Sequence, residues 1–137
     1  MTEKIFPASD EALRDAIGFV EEELEKVDCP MKTMMQISVC VEEMFVNIAH
    51  YAYRGAETEN SIVSMSVDTE GGTATIVLKD HGIPFDPLAK PDPDITLSAD
   101  ERQIGGLGIF MVKKSMDEVG YERTDETNIF TMRKEIG

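Results

Sequence analysis

The chain has 137 residues, of which 42% are hydrophobic and 29% charged, a composition typical of one globular domain. Thirteen basic and 27 acidic side chains give a net charge of −14, which argues against a nucleic-acid partner because phosphate backbones would be repelled. No apolar run reaches the roughly 18 residues that a membrane helix needs, and the acidic N-terminus lacks the composition of a targeting segment. We therefore expect a single cytoplasmic domain over residues 1–137, without membrane association.

The first part of the chain predicts one strand and two helices. A short strand covers TEKIFPA, and Ser9 or Asp10 can cap the helix that follows. Apolar residues at three- and four-residue steps extend this first helix to about Val27. After the helix-breaking DCP, a second helix continues to about Arg54, where a glycine follows.

The rest of the chain predicts two hairpins around a long irregular segment and a third helix. Alternating residues on both sides of EGG indicate a hairpin from Ser61 to about Asp80. Residues 83 to about 104 contain four prolines and no period, which is typical of a functional lid or a disordered linker. The glycine-rich GGLGIFMVKK then opens a helix that ends before Gly120, and YERTDETNIFTMRKEI forms a second hairpin turning near TDET.

Paired strands, rather than strands that alternate singly with helices, predict the architecture. This order favours an α/β two-layer sandwich, in which a mostly antiparallel mixed sheet carries the helices on one face.

The second helix carries a polar stripe formed by Glu43, Asn47 and His50. Because most of its remaining circumference is apolar, Val39 included, we expect the helix to be buried nearly all round. Buried carboxylate and amide groups need partners. Asn47 could bind magnesium while Glu43 takes a proton; alternatively, the two form an ordinary solvated i,i+4 pair. His50 taken alone favours a packing role.

Two glycine motifs provide further candidates. In DHGIPFD, Asp80 could accept a hydrogen bond from an exocyclic amine such as adenine N6, beside Gly82; the alternative is a simple turn. In GGLGIFMVKK, Gly105, Gly106 and Gly108 place unpaired N–H groups at a helix start, which favours phosphate oxygens. This second motif lacks the pattern of a P-loop.

The three motifs occur in a fixed order: E-x-x-x-N on a helix, D-x-G-x-P-F-D after a strand, and G-G-L-G-I at a helix start. In this order they resemble the GHKL ATPase superfamily, and within it the bacterial anti-sigma factor serine/threonine kinases. The resemblance covers nearly the whole chain and implies the histidine kinase-like ATPase fold, with ATP and Mg²⁺ as cofactors.

The resemblance also implies individual roles at the first two motifs. Glu43 would be the general base, Asn47 would bind Mg²⁺, and Asp80 would bind adenine with Gly82 beside it. Pro84 would also contact the nucleotide, although it stands where the superfamily often has a second glycine, which implies a stiffer pocket floor.

At the third motif the resemblance implies phosphate binding by the residues that open the third helix, namely Gly105, Gly106, Leu107 and Gly108. Residues 83 to about 104 would be the ATP lid. Within the lid, Arg102 would reach the γ-phosphate, with a solvated arginine as the equal alternative.

Three functions are compatible with these motifs. The resemblance implies an ATP-dependent serine kinase that would phosphorylate an anti-anti-sigma-like partner, form a homodimer and sequester a sigma factor. The alternative is an ATP-gated protein-binding module without phosphoryl transfer. The ATP domain of a split histidine kinase ranks last, because no dimerisation helix with a phosphoacceptor histidine is present.

Overall fold

The computed structural model describes residues 1–53, 61–84, 86–88 and 107–136, with Leu107 described by its backbone alone. Five strands and three α-helices follow one another along this part of the chain. In chain order they are β1 (Thr2–Pro7), α1 (Leu13–Glu25), α2 (Met31–Asn47), β2 (Ile62–Asp68), β3 (Thr73–Asp80), α3 (Leu107–Ser115), β4 (Glu118–Thr124) and β5 (Thr127–Glu135). None of the helices within these ranges is both long and apolar enough to cross a bilayer.

The five strands form one sheet in the order β1-β2-β3-β5-β4. This confirms the mostly antiparallel sheet and both predicted hairpins, and in the described part no parallel pair accompanies the antiparallel ones. Pairing of β3 with β5 joins the two hairpins and places Asp80 opposite Asn128. The last residue of the first hairpin therefore meets the beginning of the last strand.

The core lies between the sheet and the helices. Along β3 every second residue is buried, as expected for a sheet with one covered face. The inward residues Leu78 and Met132 belong to the same apolar cluster as Leu24 of α1 and Phe45 of α2. This packing confirms the predicted sandwich and holds α2 against the sheet.

The second helix ends differently from the prediction. Regular α-helix stops at Asn47, and a π-helical turn over Ile48–Ala52 continues it; Arg54 lies outside the described residues. Val39 is 41% exposed and Met35 61%, so the expectation that this helix is buried nearly all round was wrong. One side of α2 faces solvent because no described element covers it.

The first helix also differs at its ends. A 3₁₀ turn over Asp10–Ala12 precedes α1, and neither Ser9 nor the residue before α1 makes a side-chain capping hydrogen bond. The predicted capping role of Ser9 was therefore wrong. The helix ends at Glu25, slightly before the predicted Val27.

The turn between β4 and β5 gives the first testable prediction. Asp125 and Glu126 have φ values of 51° and 60°, the left-handed region that type I′ turns require and that Asn-Gly adopts most readily. Replacing the pair by Asn-Gly should raise stability by about 1 kcal/mol and the Tm by a few degrees. The matched control is Glu70→Gly in the other hairpin, where φ is not positive and the change should lower the Tm. Equal Tm changes for both variants, measured by thermal denaturation, would contradict the turn assignment.

Candidate functional site

A cavity lies between α2 and the end of the sheet where Asp80 is found. The cavity is lined by residues of α2 and of the π-helical turn after it, the end of β3, both strands of the second hairpin and one proline of the 86–88 segment. They are Met44, Asn47, Ile48, Asp80, Pro87, Tyr121, Asn128 and Phe130. The structure thus brings Asn47 of the first motif and Asp80 of the second to one cavity. Its walls are largely apolar, and its polar groups converge from three directions.

The Asp80 carboxylate is buried, with 4% of the residue exposed. Its Oδ1 atom accepts two hydrogen bonds, from the Gly82 N–H and from Asn128 Nδ2, both at 2.9 Å. Among the described residues none donates to Oδ2. Oδ2 is therefore the atom that remains available to a donor entering the cavity.

Burial raises the pKa of the Asp80 carboxyl above its ordinary 3.8. The hydrogen bonds from Asn128 and Gly82 act in the opposite direction, as do the charges of His81 and Arg123, but burial dominates. The ionised side chain is thus held at a cost in stability. A ligand N–H donated to Oδ2 would offset part of that cost, which suits an amine-recognition role.

Asn128 connects Asp80 to the second hairpin, and sequence reasoning missed it. Its Nδ2 also donates to the Ile83 carbonyl at 2.7 Å, and its Oδ1 accepts from Tyr121 Oη at 2.5 Å and Arg123 Nη1 at 3.0 Å. Arg123 Nη1 lies 3.1 Å from the Gly82 carbonyl as well. Three side chains from β4 and β5 therefore hold the Asp80 carboxylate and the turn that follows it.

The turn containing Gly82 packs tightly against the π-helical turn that follows α2. A Cβ at Gly82 would lie 2.3 Å from the Ala52 carbonyl oxygen, so only glycine fits, and the Ile83 N–H donates to that same oxygen at 2.9 Å. Tyr53 strengthens the junction, since its hydroxyl donates to the Ile62 carbonyl and accepts from the His81 N–H. Gly82 thus acts first as a packing position. Pro84 is exposed just beyond it.

Glu43 and Asn47 lie one turn apart on α2. Asn47 Nδ2 donates to the Glu43 carbonyl at 2.8 Å, and no described residue donates to or binds its Oδ1. The amide is therefore oriented by the helix backbone, with an oxygen left for a metal ion. The Glu43 side chain reaches α3, where a Cβ added to Gly108 would lie 2.1 Å from Glu43 Oε2. The first and third motifs are in direct contact.

These residues fit a magnesium ion bound together with a ligand. Within the described ranges, no group of three or more His, Cys, Asp or Glu side chains could hold a metal on its own. Mg²⁺ commonly takes one or two protein oxygens and completes its shell with phosphate and water. Asn47 Oδ1 meets that requirement, and the available Oδ2 of Asp80 suits the amine of a base.

Most of the remaining predicted site residues lie outside the part of the chain that the structure describes. Arg102, Gly105 and Gly106 lie outside the described residues, as does most of the predicted lid at 83–104. Leu107 is described only as the first residue of α3.

His50 does not line the cavity, although it shares a stripe with Asn47 in an ideal α-helix. Its side chain is 46% exposed, and Nε2 lies 2.8 Å from Asp10 Oδ1. The π-helical turn changes the angular step after Asn47 and directs His50 towards the start of the first helical segment.

A sequence profile of the histidine kinase-like ATPase domain matches residues 6–134, nearly the whole chain. The chain belongs to this family. Membership confirms the predicted superfamily and fold and implies that the nucleotide is ATP. Of the described motif residues, Asn47 and Asp80 line one cavity, and Glu43 contacts Gly108 on the neighbouring helix.

Two relatives are named as protein kinases. The chain is similar to the serine/threonine-protein kinase BtrW of Bordetella bronchiseptica, with 23% identity over 96 residues, and to the serine-protein kinase RsbW of Bacillus pumilus, with 28% identity over 107 residues. These matches cover 70% and 75% of this chain but 66% and 60% of the relatives, less than two thirds of their own length.

Solved structures show the same fold. A chain in the SiaB–SiaC complex of Pseudomonas aeruginosa superimposes with a TM-score of 0.67 and 16% identity, over 98% of this chain and 88% of that one. At this identity the likeness establishes the fold of the ATPase domain.

Asp80→Asn should lower the affinity for ATP while the hydrogen bonds that hold the fold around residue 80 persist. Asparagine can still accept hydrogen bonds from Gly82 and Asn128, but its amino group would face the position predicted for the adenine amine. ATP affinity measured by calorimetry should therefore fall about tenfold or more.

The stability of the same variant relative to the wild type should increase as the pH rises. The pKa of Asp80 is raised in the folded state, so its protonated carboxyl does not lower the free energy of unfolding below about pH 3.8. As the pH increases from 3.8 to the raised pKa, ionisation of the buried carboxyl destabilises the folded state increasingly. The Tm of Asp80→Asn relative to the wild type should therefore increase from about pH 4 towards neutrality. A Tm difference that decreases with pH would contradict the buried, ionised carboxylate.

Gly108→Ala should affect nucleotide binding while the fold persists. Alanine at a helix start is ordinarily tolerated, and the clashing atom is the end of a flexible glutamate that can move aside. The displaced carboxylate and the added methyl group should lower ATP affinity about tenfold, with the Tm nearly unchanged. Gly120→Ala is the matched control, because nothing lies within 4 Å of a Cβ there. Wild-type ATP affinity in Gly108→Ala would contradict a phosphate cradle at α3.

Proposed function

We propose that the protein is an ATP-dependent protein serine kinase that phosphorylates an anti-anti-sigma-type partner. One observation carries the proposal: the Glu43 carboxylate lies against Gly108 at the start of α3, one helical turn from Asn47 on the cavity wall. A proton acceptor at the phosphate end of an ATP site is what transfer to a hydroxyl needs, whereas nucleotide binding alone does not need it.

The base-binding end of the proposed site is Asp80. Its available Oδ2 would accept a hydrogen bond from the adenine amine, and the apolar side chains of Met44, Ile48 and Phe130 would contact the ring. Guanine presents an oxygen at the corresponding position and would be repelled by the carboxylate. The site should therefore select ATP over GTP.

The phosphate end of the proposed site combines Asn47 with the start of α3. When bound, ATP would supply the phosphoryl group, and Mg²⁺ would neutralise part of the negative charge of the phosphates. Asn47 would hold the metal through Oδ1, while Gly105, Gly106, Leu107 and Gly108 would present backbone N–H groups to the phosphates. Such local donors are required because the chain as a whole carries a charge of −14 and would repel a nucleotide.

Glu43 is the proposed general base. It would accept the proton of the serine hydroxyl as the serine oxygen bonds to the γ-phosphorus and the bond from that phosphorus to the bridging oxygen breaks, which releases ADP. Its position beside Gly108 keeps the carboxylate close to where the phosphates would lie without making it a metal ligand. In the lid, Arg102 would neutralise charge on the γ-phosphate.

The names of the relatives support a protein as the phosphate acceptor. Two similar proteins are named as serine or serine/threonine kinases, and a chain of the same fold occurs in a complex of two proteins, SiaB and SiaC. These names support a protein substrate. We extend the proposal to a cytoplasmic homodimer that sequesters a sigma factor.

The test compares two adjacent glutamates of α2. Glu43→Gln keeps the shape of the side chain but removes the proton acceptor, so ATP should still bind while transfer to a partner serine falls about a hundredfold or more. Glu42→Gln is the matched control, because Glu42 is exposed on the same helix. Transfer is measured with γ-labelled ATP and a co-purified partner.

Two results would contradict the kinase. If the wild type never labels its tightest partner while ATP changes that partner's affinity, the protein is an ATP-gated binding module instead. If Glu43→Gln and Glu42→Gln label the partner equally, Glu43 is not the general base.

A further inference from the structure

We propose that Asn128 is the positioning residue of the base site: held by Tyr121 and Arg123, it fixes the Asp80 carboxylate so that Oδ2 alone is presented to the adenine amine. This inference rests on the proposed function, since it concerns the same site. It assigns a role to three residues of the second hairpin that none of the sequence motifs contains.

The hydrogen bonds of Asn128 are all used within the protein. A side-chain amide has two N–H donors and two acceptor positions. The donors bind Asp80 Oδ1 and the Ile83 carbonyl, and the oxygen accepts from Tyr121 Oη and Arg123 Nη1. Asn128 is 4% exposed and has no capacity left for a ligand. Its contribution to binding must therefore act through Asp80.

The orientation of the amide is fixed by its neighbours. On one side lie two oxygens that can only accept, and on the other lie a hydroxyl and a guanidinium that donate. Rotating the amide by 180° would set acceptor against acceptor and donor against donor. The Asn128 amide therefore has one favourable orientation, in which its N–H donates to Asp80 Oδ1.

The neutral amide of Asn128 also prevents Arg123 from forming an ion pair with both oxygens of the Asp80 carboxylate. A guanidinium next to an aspartate commonly takes both oxygens in a bidentate pair. Here Arg123 donates to two neutral oxygens, those of Asn128 and Gly82, and Asn128 stands between it and Asp80. The positive charge supports the ionised carboxylate from a distance, and Oδ2 stays available for the base.

The test compares ATP with inosine triphosphate, which carries an oxygen where adenine has its amine. The wild type should prefer ATP, and the ratio of the two affinities measures the hydrogen bond at Asp80 Oδ2. Asn128→Ala should reduce this ratio about tenfold, mostly through weaker ATP binding, because the carboxylate loses its fixed orientation. Tyr121→Phe, which removes only the hydroxyl, should reduce it about threefold.

The matched control is Thr131→Ala on the same strand, because Thr131 lies three residues from Asn128 and outside the cavity. It should keep the wild-type ratio. A merely structural role would weaken both nucleotides equally and leave the ratio unchanged, and that result in a folded Asn128→Ala overturns the inference. If Asn128→Ala does not fold, an unchanged ratio in Tyr121→Phe overturns it. A wild type without preference for ATP would instead overturn the proposed adenine site itself.

Discussion

The proposed nucleotide site depends on one buried carboxylate. Asp80 ends β3 in an almost fully enclosed position, where ionisation is costly unless hydrogen bonds compensate. Among the described residues, Gly82 and Asn128 each donate one hydrogen bond, and both bonds go to Oδ1. No described residue donates to Oδ2. A ligand that donates one N–H group to Oδ2 would therefore stabilise the ionised carboxylate further.

Strand order creates this arrangement. Because β5 pairs with β3 and β4 lies outside it, the second hairpin brings Asn128, Tyr121 and Arg123 beside the turn that follows Asp80. On the opposite side, α2 supplies Asn47 to the same cavity and Glu43 to the start of α3. The sheet therefore builds the base end of the proposed site, while two helices build its phosphate end.

The sequence predicts local features better than features that need tertiary pairing. Glu43 and Asn47 could be identified because a helix fixes their spacing, and the D-x-G and glycine-rich motifs are short and contiguous. Asn128 could not be identified, because its significance follows from pairing with a residue 48 positions earlier in the chain. A polar residue at an inward position of an alternating strand was the only local signal.

Two expectations about α2 failed for physical reasons. His50 leaves the stripe because a π-helical turn changes the angular step, and Val39 is exposed because no described element covers that side of the helix. Neither event has a signature in the apolar pattern.

The most direct measurement is a crystal structure with Mg²⁺ and a non-hydrolysable ATP analogue. We expect the adenine amine to lie within about 3 Å of Asp80 Oδ2, while Oδ1 keeps its hydrogen bonds to Gly82 and Asn128. We also expect Asn47 Oδ1 to ligate the metal near the start of α3. A base bound elsewhere, or a base amine on Oδ1 with Asn128 displaced, would contradict the proposed site.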